Sequence, residues 1–283
     1  MQFKTLQTQD FPELHRCFCE AFSDYSLKMK PTEAELKMRV HRIGMSFPAS
    51  GGVFQEGKML GFIMNAIGQF DGKLTAYNGG TGVIPTQRGL KLGERLYEFL
   101  MPALAQKGIQ QLLLEVIADN APAIRLYEKL GFEKTQKLTC FAYLSPTFPK
   151  EKSSLPIQIS KVETPDWSKY QAFVGNAYVC WQNQLEAVAR DLNQETILEV
   201  YHKTETIGFA IFNLQSGKIS QMAISEAYRN QKIGHNLVRA MHALSAHKRL
   251  SILNISQKDR QALSFFQNLG FSVAVEQFEM RRV

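Results

Sequence analysis

The two halves of this 283-residue chain repeat the same short patterns at matching intervals. Each half has an apolar residue, an arginine and a glycine spaced five apart, followed downstream by a segment that ends in Leu-Gly-Phe. The spaced residues are Val83, Arg88 and Gly93 in the first half and Ile224, Arg229 and Gly234 in the second. An internal duplication explains both similarities, and it predicts two domains with the same order of strands and helices.

The segment between the repeats, from Ser145 to Pro156, holds three prolines and three serines. Proline lacks a backbone N–H and restricts the residue before it, so such a segment opposes both helices and strand ladders. The sequence therefore predicts an N-terminal domain at 1–145, a linker at 146–156 and a C-terminal domain at 157–283.

Strand and helix signals alternate through both halves, which is typical of an α/β chain with a mixed sheet. The capping-box sequence from Thr32 to Glu35 predicts a helix that runs to about Ile43. Further helices are predicted at 11–22, 89–105, 121–130, 181–190, 231–246 and 260–269. The strands that bear on function are predicted at 74–83, 111–117, 133–137 and 139–144.

The net charge of +7 is spread evenly, with 18 Lys and Arg against 14 Asp and Glu in residues 1–150 and 15 against 12 in the remainder. Nucleic-acid-binding proteins concentrate basic residues on one face or arm, so we expect no nucleic-acid partner.

No apolar run reaches the length of a membrane span, and the first residues lack a signal-peptide pattern. We therefore expect a cytoplasmic protein with no membrane partner. The four cysteines have no zinc-site spacing, so no metal is expected.

The most informative segment follows the strand that ends at Val83. A short turn leads from Pro85 through Arg88 to a glycine-containing helix start. Unpaired N–H groups and the positive end of the helix dipole make such a start a good phosphate site. Glycine there also lets a ligand approach the backbone. Taken alone, the segment is equally compatible with an ordinary strand-to-helix turn whose glycines only cap and pack.

Together with a second motif, this turn resembles that of the GNAT acetyltransferase superfamily. Residues 88–93 resemble the Arg/Gln-x-x-Gly-x-Gly/Ala turn of the family, and residues 120–132 fit its Asn-x-x-Ala-x-x-x-Tyr-x-x-x-Gly-Phe helix. The resemblance covers most of 1–145 and, more loosely, 157–283. It implies two tandem GNAT-like domains, each a mostly antiparallel, twisted sheet flanked by helices.

The resemblance further implies that acetyl-CoA binds in the N-terminal half. Val83 would hydrogen-bond the pantetheine arm or the thioester through its backbone, and Asn120 would lie beside the arm. Tyr127 would be the general acid that protonates the departing thiolate, although a packed helix aromatic gives the same pattern. A phenol pKa of about 10 against a thiol pKa of about 8.5 suits that role. The diphosphate would contact the N–H groups of Arg88, Gly89, Leu90, Lys91, Leu92, Gly93 and Glu94.

One position departs from the family in both halves, because the middle glycine of the turn is Lys91 in the first and Lys232 in the second. A lysine at a helix start can meet a phosphate as a point charge. It is equally compatible with a phosphate cradle of altered shape.

The sequence gives weaker signals for the residues that would bind and deprotonate the acceptor. The family often uses a glutamate on the strand before the turn to deprotonate the acceptor, but residues 73–83 contain no carboxylate. Tyr77 and Asn78 fall about where it would be, and Asp24 and Tyr25 are candidates to line the acceptor pocket. The glycines of this strand indicate a bulge or a close ligand approach.

These observations predict an acetyl-CoA-dependent N-acyltransferase that acts on an amine of unknown identity. The alternative is a catalytically inactive acyl-CoA-binding or interaction protein, favoured by Lys91 and by the missing carboxylate. In the second half Phe266 and Asp259 replace Tyr127 and Asn120. The C-terminal domain is therefore expected to be catalytically weak or silent, and an oligomeric assembly remains open.

Overall fold

The computed structural model describes residues 1–24 and 30–283, so the candidate acceptor residue Tyr25 lies outside the described residues. The chain folds into two compact units. Unit 1 comprises residues 1–136 and 278–283, and unit 2 comprises residues 137–277. The division thus falls between Gln136 and Lys137 and not in the proline-rich segment, and the end of the chain belongs to unit 1.

The elements follow the same order in both halves of the chain. The first half contains β1 (Gln2–Thr5), α1 (Phe11–Ala21), α2 (Glu33–Ile43), β2 (Gly51–Gln55), β3 (Lys58–Phe70), β4 (Lys73–Val83), α3 (Leu92–Gln106), β5 (Gln111–Ile117), α4 (Ala121–Lys129) and β6 (Glu133–Tyr143). The second half contains β7 (Gln158–Val162), α5 (Trp167–Val174), α6 (Leu185–Arg190), β8 (Thr196–His202), β9 (Glu205–Phe212), β10 (Lys218–Ile224), α7 (Ile233–Leu244), β11 (Leu250–Ser256), α8 (Arg260–Asn268) and β12 (Ser272–Arg282).

Each unit has a mixed sheet in which one neighbouring pair is parallel. The strand order is β1-β2-β3-β4-β5-β12 in unit 1 and β7-β8-β9-β10-β11-β6 in unit 2. The parallel pairs are β4–β5 and β10–β11, and the strands on the β1 and β7 sides of them are antiparallel. The predicted architecture of two similar mixed sheets flanked by helices is confirmed.

The sixth strand of each sheet comes from the other half of the chain. The end of β12 completes unit 1, and residues 138–143 of β6 pair with β11 in unit 2. This exchange explains why the closing strands predicted at 133–137 and 139–144 are instead the single strand β6. The local pattern carries no signal for such a partner change.

A capping box fixes the start of α2. The predicted capping box is confirmed, because the Thr32 hydroxyl accepts from the Glu35 N–H at 3.2 Å and the Glu35 carboxylate accepts from the Thr32 N–H at 2.7 Å. The helix predicted at 181–190 is a 3-10 turn followed by α6. Helix α5 was not predicted from the sequence. Among the described residues, no helix combines the length and apolarity needed to cross a bilayer.

A buried carboxylate fixes the end of the chain in unit 1. The Glu279 side chain is fully buried and accepts from the Thr135 hydroxyl at 2.5 Å, the Gln136 amide at 3.1 Å and the Arg281 guanidinium at 2.7 Å. Arg281 also contacts the Asp71 carboxylate at 2.6 Å. Several donors on one buried carboxylate offset its loss of hydration.

Replacement of Glu279 by alanine is therefore expected to lower the free energy of unfolding by about 3 kcal/mol, because it leaves the Thr135 hydroxyl and the Gln136 amide without their acceptor and removes a fully buried side chain. Chemical denaturation measures this change. The matched control is Glu276→Ala on the same strand, which loses a half-exposed ion pair with Lys137 and an exposed hydrogen bond from Gln257 and should change stability by less than about 1 kcal/mol. Equal effects of the two substitutions would contradict the assignment.

Candidate active site

The turn after β4 is not helical where the sequence predicted a helix start. Residues Pro85–Gln87 form one turn of 3-10 helix, and α3 begins only at Leu92. Gly89 and Lys91 have φ of +83° and +55°, which lie in the left-handed region that a right-handed helix excludes. The predicted start at 89 was therefore wrong by three residues.

The turn of unit 2 has the same backbone path. Lys232 has φ of +61° and immediately precedes α7, as Lys91 precedes α3. In both turns the arginine Nε donates to the carbonyl of the last strand residue, from Arg88 to Val83 at 3.4 Å and from Arg229 to Ile224 at 3.1 Å. The lysines thus adopt the conformation that glycine takes freely, and the path of the turn is maintained.

The Arg88 side chain forms an ion pair with Asp24. Its guanidinium binds the Asp24 carboxylate through two contacts of 2.5 and 2.9 Å and donates to the Ala21 carbonyl at 2.8 Å. The hydrogen bond from Arg88 holds the pKa of Asp24 below its usual range. Asp24, a candidate acceptor residue, is therefore placed beside the turn, where it fixes the end of α1 to Arg88.

The parallel strands of unit 1 separate halfway along their length. Residues Thr75–Asn78 of β4 pair with Gln111–Leu114 of β5, and the register of β3 against β4 shifts at Gly79. This shift is a β-bulge, which bends a strand and ends regular pairing. A Cβ on Gly80 or Gly82 would lie 2.7 Å from the Met64 or Phe62 side chain, so glycine at both positions permits tight packing on β3.

A carboxylate that sequence reasoning missed lies at the point of separation. The Tyr77 hydroxyl donates to Glu115 Oε2 at 2.5 Å, across from β4 to β5. The family resemblance places the proton-accepting glutamate on β4, and Glu115 was not predicted because it lies on the neighbouring strand β5. The available signal was one acidic residue inside the apolar segment Leu112–Val116, since an unpaired carboxylate is rarely placed in a buried strand.

The adjacent residue, Asn78, contacts a tyrosine of α3, which in turn packs on a tyrosine of α4. Its amide donates to the Thr81 hydroxyl at 2.7 Å and to the Tyr97 hydroxyl. Burial raises the pKa of Tyr97 well above its usual value, and the neighbouring Tyr127 adds to the effect. The Tyr97 and Tyr127 rings lie edge to face, 6.2 Å apart, and Tyr127 is buried. Tyr97 thus connects Asn78 with Tyr127. Tyr97 itself was not predicted from the sequence.

Family models match both halves of the chain. One, described as the acetyltransferase (GNAT) family, matches residues 11–132, and one described as a GNAT acetyltransferase domain matches residues 165–283. The chain belongs to the GNAT acetyltransferase family. The solved tandem GNAT protein of the clavulanic acid biosynthesis pathway has the same fold, with a TM-score of 0.73 and 13% identity over 99% of this chain and 98% of the other. A GCN5-related N-acetyltransferase from Sphaerobacter thermophilus gives 0.74 and 14% over 99% and 95%.

Relatives of higher identity match shorter regions of this GNAT protein. A mycothiol acetyltransferase from Saccharomonospora viridis is 36% identical over 86 residues, which are 29% of this chain and 28% of that protein. The [ribosomal protein bS18]-alanine N-acetyltransferase of Escherichia coli K12 is 40% identical over 80 residues, which are 28% of this chain and 51% of that enzyme. The match thus spans about half of one relative and under a third of the other.

The two GNAT units differ in their ionisable groups. With Asn120 aligned to Asp259, the counterpart of Glu115 is Asn254, and that of Tyr127 is Phe266. Unit 2 therefore lacks both the carboxylate and the phenol at these positions.

Asn120 and Asp259 share one structural role. Each caps a helix, because Asn120 Oδ1 accepts from the Ala123 N–H at 3.2 Å and Asp259 Oδ1 accepts from the Ala262 N–H at 2.9 Å. Aspartate and asparagine are equally good N-caps, which accounts for a carboxylate in unit 2.

The remaining residues of the predicted phosphate turn differ in their solvent exposure. Leu90 is half exposed, whereas Leu92 and Gly93 are buried, and a Cβ on Gly93 would lie 3.1 Å from the Leu126 side chain. Gly93 thus permits close packing of α3 on α4. Glu94 pairs with Lys129 at 2.6 Å. Within residues 1–24 and 30–283, no three His, Cys, Asp or Glu side chains are grouped to hold a metal ion.

The left-handed conformation of Lys91 generates a stability prediction. A residue with a Cβ in this region is destabilised by about 1–2 kcal/mol, partly offset by the greater unfolded-state entropy of glycine. We expect Lys91→Gly to raise the free energy of unfolding by about 0.5–1 kcal/mol, and Lys91→Ala to leave it nearly unchanged. Lys107→Gly, at an exposed position with φ of −80°, is the control and should destabilise the protein. Denaturant titration of the three variants measures these changes.

Proposed function

We propose that unit 1 of this GNAT protein transfers the acetyl group of acetyl-CoA to a primary amine. The observation that carries the proposal is the Tyr77–Glu115 pair of 2.5 Å at the place where β4 and β5 separate. A carboxylate at this position supplies the proton acceptor that β4 itself lacks. One of the two arguments for the inactive alternative, the missing carboxylate, therefore loses its force.

The residues of the turn fit the diphosphate of acetyl-CoA. Arg88 N–H donates to the Pro85 carbonyl at 3.3 Å, and the first hydrogen bond of α3 runs from Arg95 N–H to the Lys91 carbonyl. The amides from Gly89 to Glu94 lie between these bonds and open the helix. A Cβ on Gly89 would meet no atom within 4 Å, so the backbone there is open to a ligand. This proposal leaves the Arg88 amide out of the predicted contacts.

Acetyl-CoA, when bound, supplies the thioester carbonyl that the acceptor nitrogen attacks. Glu115 takes a proton from the acceptor ammonium, directly or through the Tyr77 hydroxyl, which leaves a nucleophilic lone pair on nitrogen. Tyr127 provides the proton that the sulfur requires as it departs. Asn78 and Tyr97 hold the surroundings of Tyr127 in place through their hydrogen bond.

The acceptor is proposed only as a class, the primary amines. The printed names of the relatives, a mycothiol and a ribosomal protein alanine acetyltransferase, are compatible with different acceptors. A panel of a polyamine, an aminoglycoside and a peptide that begins with alanine tests the proposal. Release of CoA that depends on one of these amines supports it, and saturable acetyl-CoA binding without turnover would favour the inactive alternative.

Removal of the Tyr127 hydroxyl tests the general acid. Tyr127→Phe is expected to lower kcat at least about 100-fold, because the thiolate departs without a proton. The Kd of CoA, measured by calorimetry, should stay within about two-fold, since Tyr127 does not belong to the proposed diphosphate site. Tyr228→Phe, which loses an exposed hydroxyl in unit 2, is the matched control with unchanged turnover. Full turnover of Tyr127→Phe would remove this residue from the mechanism.

Removal of the Glu115 charge tests the proton acceptor. Glu115→Gln is expected to lower kcat/KM about 100-fold near neutral pH, where the acceptor amine is protonated in solution. The difference in kcat/KM between Glu115→Gln and the wild type should become smaller as pH rises, because more of the amine then binds in its neutral form. Rates of CoA release from pH 7 to 10 measure this dependence, with the exposed Glu98→Gln on α3 as control. A deficit that does not change with pH would assign Glu115 a structural role.

A further inference from the structure

Arg39 of α2 contacts the bulge of β4 in unit 1. Its Nη2 donates to the carbonyl of Gly79, the bulge residue, at 3.5 Å. Ile43 is one helical turn further along the same face of α2, and a Cβ on Gly79 would clash with its side chain. The same Cβ would lie 3.7 Å from Tyr77 Cε1. Glycine at the bulge therefore lets α2 approach β4 on the side where the Tyr77 ring lies.

The positive charge of Arg39 has no carboxylate partner in the part of the chain that the structure describes. Three other arginines of unit 1, Arg16, Arg88 and Arg281, each form an ion pair with a carboxylate. Arg39 instead forms the one hydrogen bond of 3.5 Å and lies 5.6 Å from the centroid of the Phe18 ring. A guanidinium has five N–H donors, so most of those of Arg39 are left for water or for a ligand. The residue is exposed, so a solute can reach it.

Arg39 also lies within electrostatic reach of the proposed proton acceptor. Although the residue is exposed, neighbouring protein atoms desolvate its guanidinium and lower the pKa of Arg39, while Tyr77 and Glu115 act in the opposite direction. A guanidinium nevertheless stays protonated at neutral pH. An acceptor ammonium that approaches Glu115 therefore meets a second cation nearby, and like charges repel each other. A carboxylate on the acceptor would replace this repulsion by attraction.

We propose that the acceptor is a primary amine that also carries a carboxylate, and that Arg39 binds this carboxylate while Glu115 takes the proton of the ammonium. A planar guanidinium matches a carboxylate through two parallel N–H···O bonds. Amino acids are the simplest molecules with both groups. Arg39 thus determines specificity and takes no part in proton transfer. This inference rests on the proposed function, because it names the substrate class of the same site.

The test compares each L-amino acid with its carboxamide, which keeps the side chain and the amino group and lacks the negative charge. Release of CoA from acetyl-CoA by the full chain gives kcat and KM for each acceptor. We expect kcat/KM of the preferred amino acid to exceed that of its amide about 30-fold, because the amide loses a hydrogen-bonded ion pair. Spermidine and an aminoglycoside, which add positive charge, should be poorer acceptors than the amino acid.

Substitutions on α2 separate a binding role of Arg39 from a structural one. Arg39→Gln is expected to raise KM of the preferred amino acid about 30-fold while kcat stays within about two-fold. It should not lower kcat/KM of the amide, because it removes a repelling cation. Arg39→Lys keeps the charge without the planar fork and should restore part of the preference. Lys37→Gln, which removes another exposed cation of α2 and its ion pair with Glu33, is the control that keeps the preference.

Three results would overturn the inference. If Arg39 only holds the bulge in place, Arg39→Gln will lower kcat/KM of the amino acid and of the amide equally, or leave both unchanged. If the wild type acetylates spermidine or the amides as well as the amino acids, the acceptor needs no carboxylate, and the proposed transfer to an amine still stands. If no amine causes release of CoA, the proposed function fails and this inference fails with it.

Discussion

In both units the parallel strand pair is regular only up to a bulge, and the rest of the architecture follows from the place where pairing ends. Strand β4 bulges at Gly79 and β10 at Ser220, one residue beyond the paired segment in each sheet. Backbone groups beyond such a point lose their sheet partners and require others. Beyond this point the two strands lead into the turn that we propose binds phosphate and into the capped helix. The bulge thus sets which side chains lie between the strand ends.

The turn after the bulged strand in each unit contains a strained residue, which lowers the stability of the fold. Lys91 and Lys232 both occupy the left-handed region, where a side chain is disfavoured. The strain is tolerated because the surroundings fix the backbone on both sides, with the arginine folded onto the strand carbonyl and the glycine of α3 or α7 packed on the next helix. Two lysines in the same strained state, one in each unit, show that both turns keep the same backbone path.

Much of this could be predicted from the sequence, because local signals were strong and duplicated. The order of elements, the capping box at Thr32 and the Gly-containing turn depend on neighbours within a few residues. The strand exchange between β6 and β12 could not be predicted, since partner choice depends on the whole sheet. Glu115 was missed for a related reason, because its relation to Tyr77 is set by strand register and not by spacing along the chain. The start of α3 was misplaced because a lysine gives no sign of positive φ.

On the proposed mechanism, the acid–base groups belong to unit 1 and not to unit 2. A cleft needs a backbone turn and an open strand pair to hold a ligand, and both units have these. Acid–base chemistry needs ionisable groups, and unit 2 has Asn254 and Phe266 where unit 1 has Glu115 and Tyr127. Phe266 keeps the ring of Tyr127 without its hydroxyl, and Asn254 is one methylene shorter than Glu115 and has no titratable group. Unit 2 nevertheless keeps a cavity of about 660 Å³ among its own residues. What it lacks at these two positions is therefore the proton-transfer groups and not the space for a small molecule.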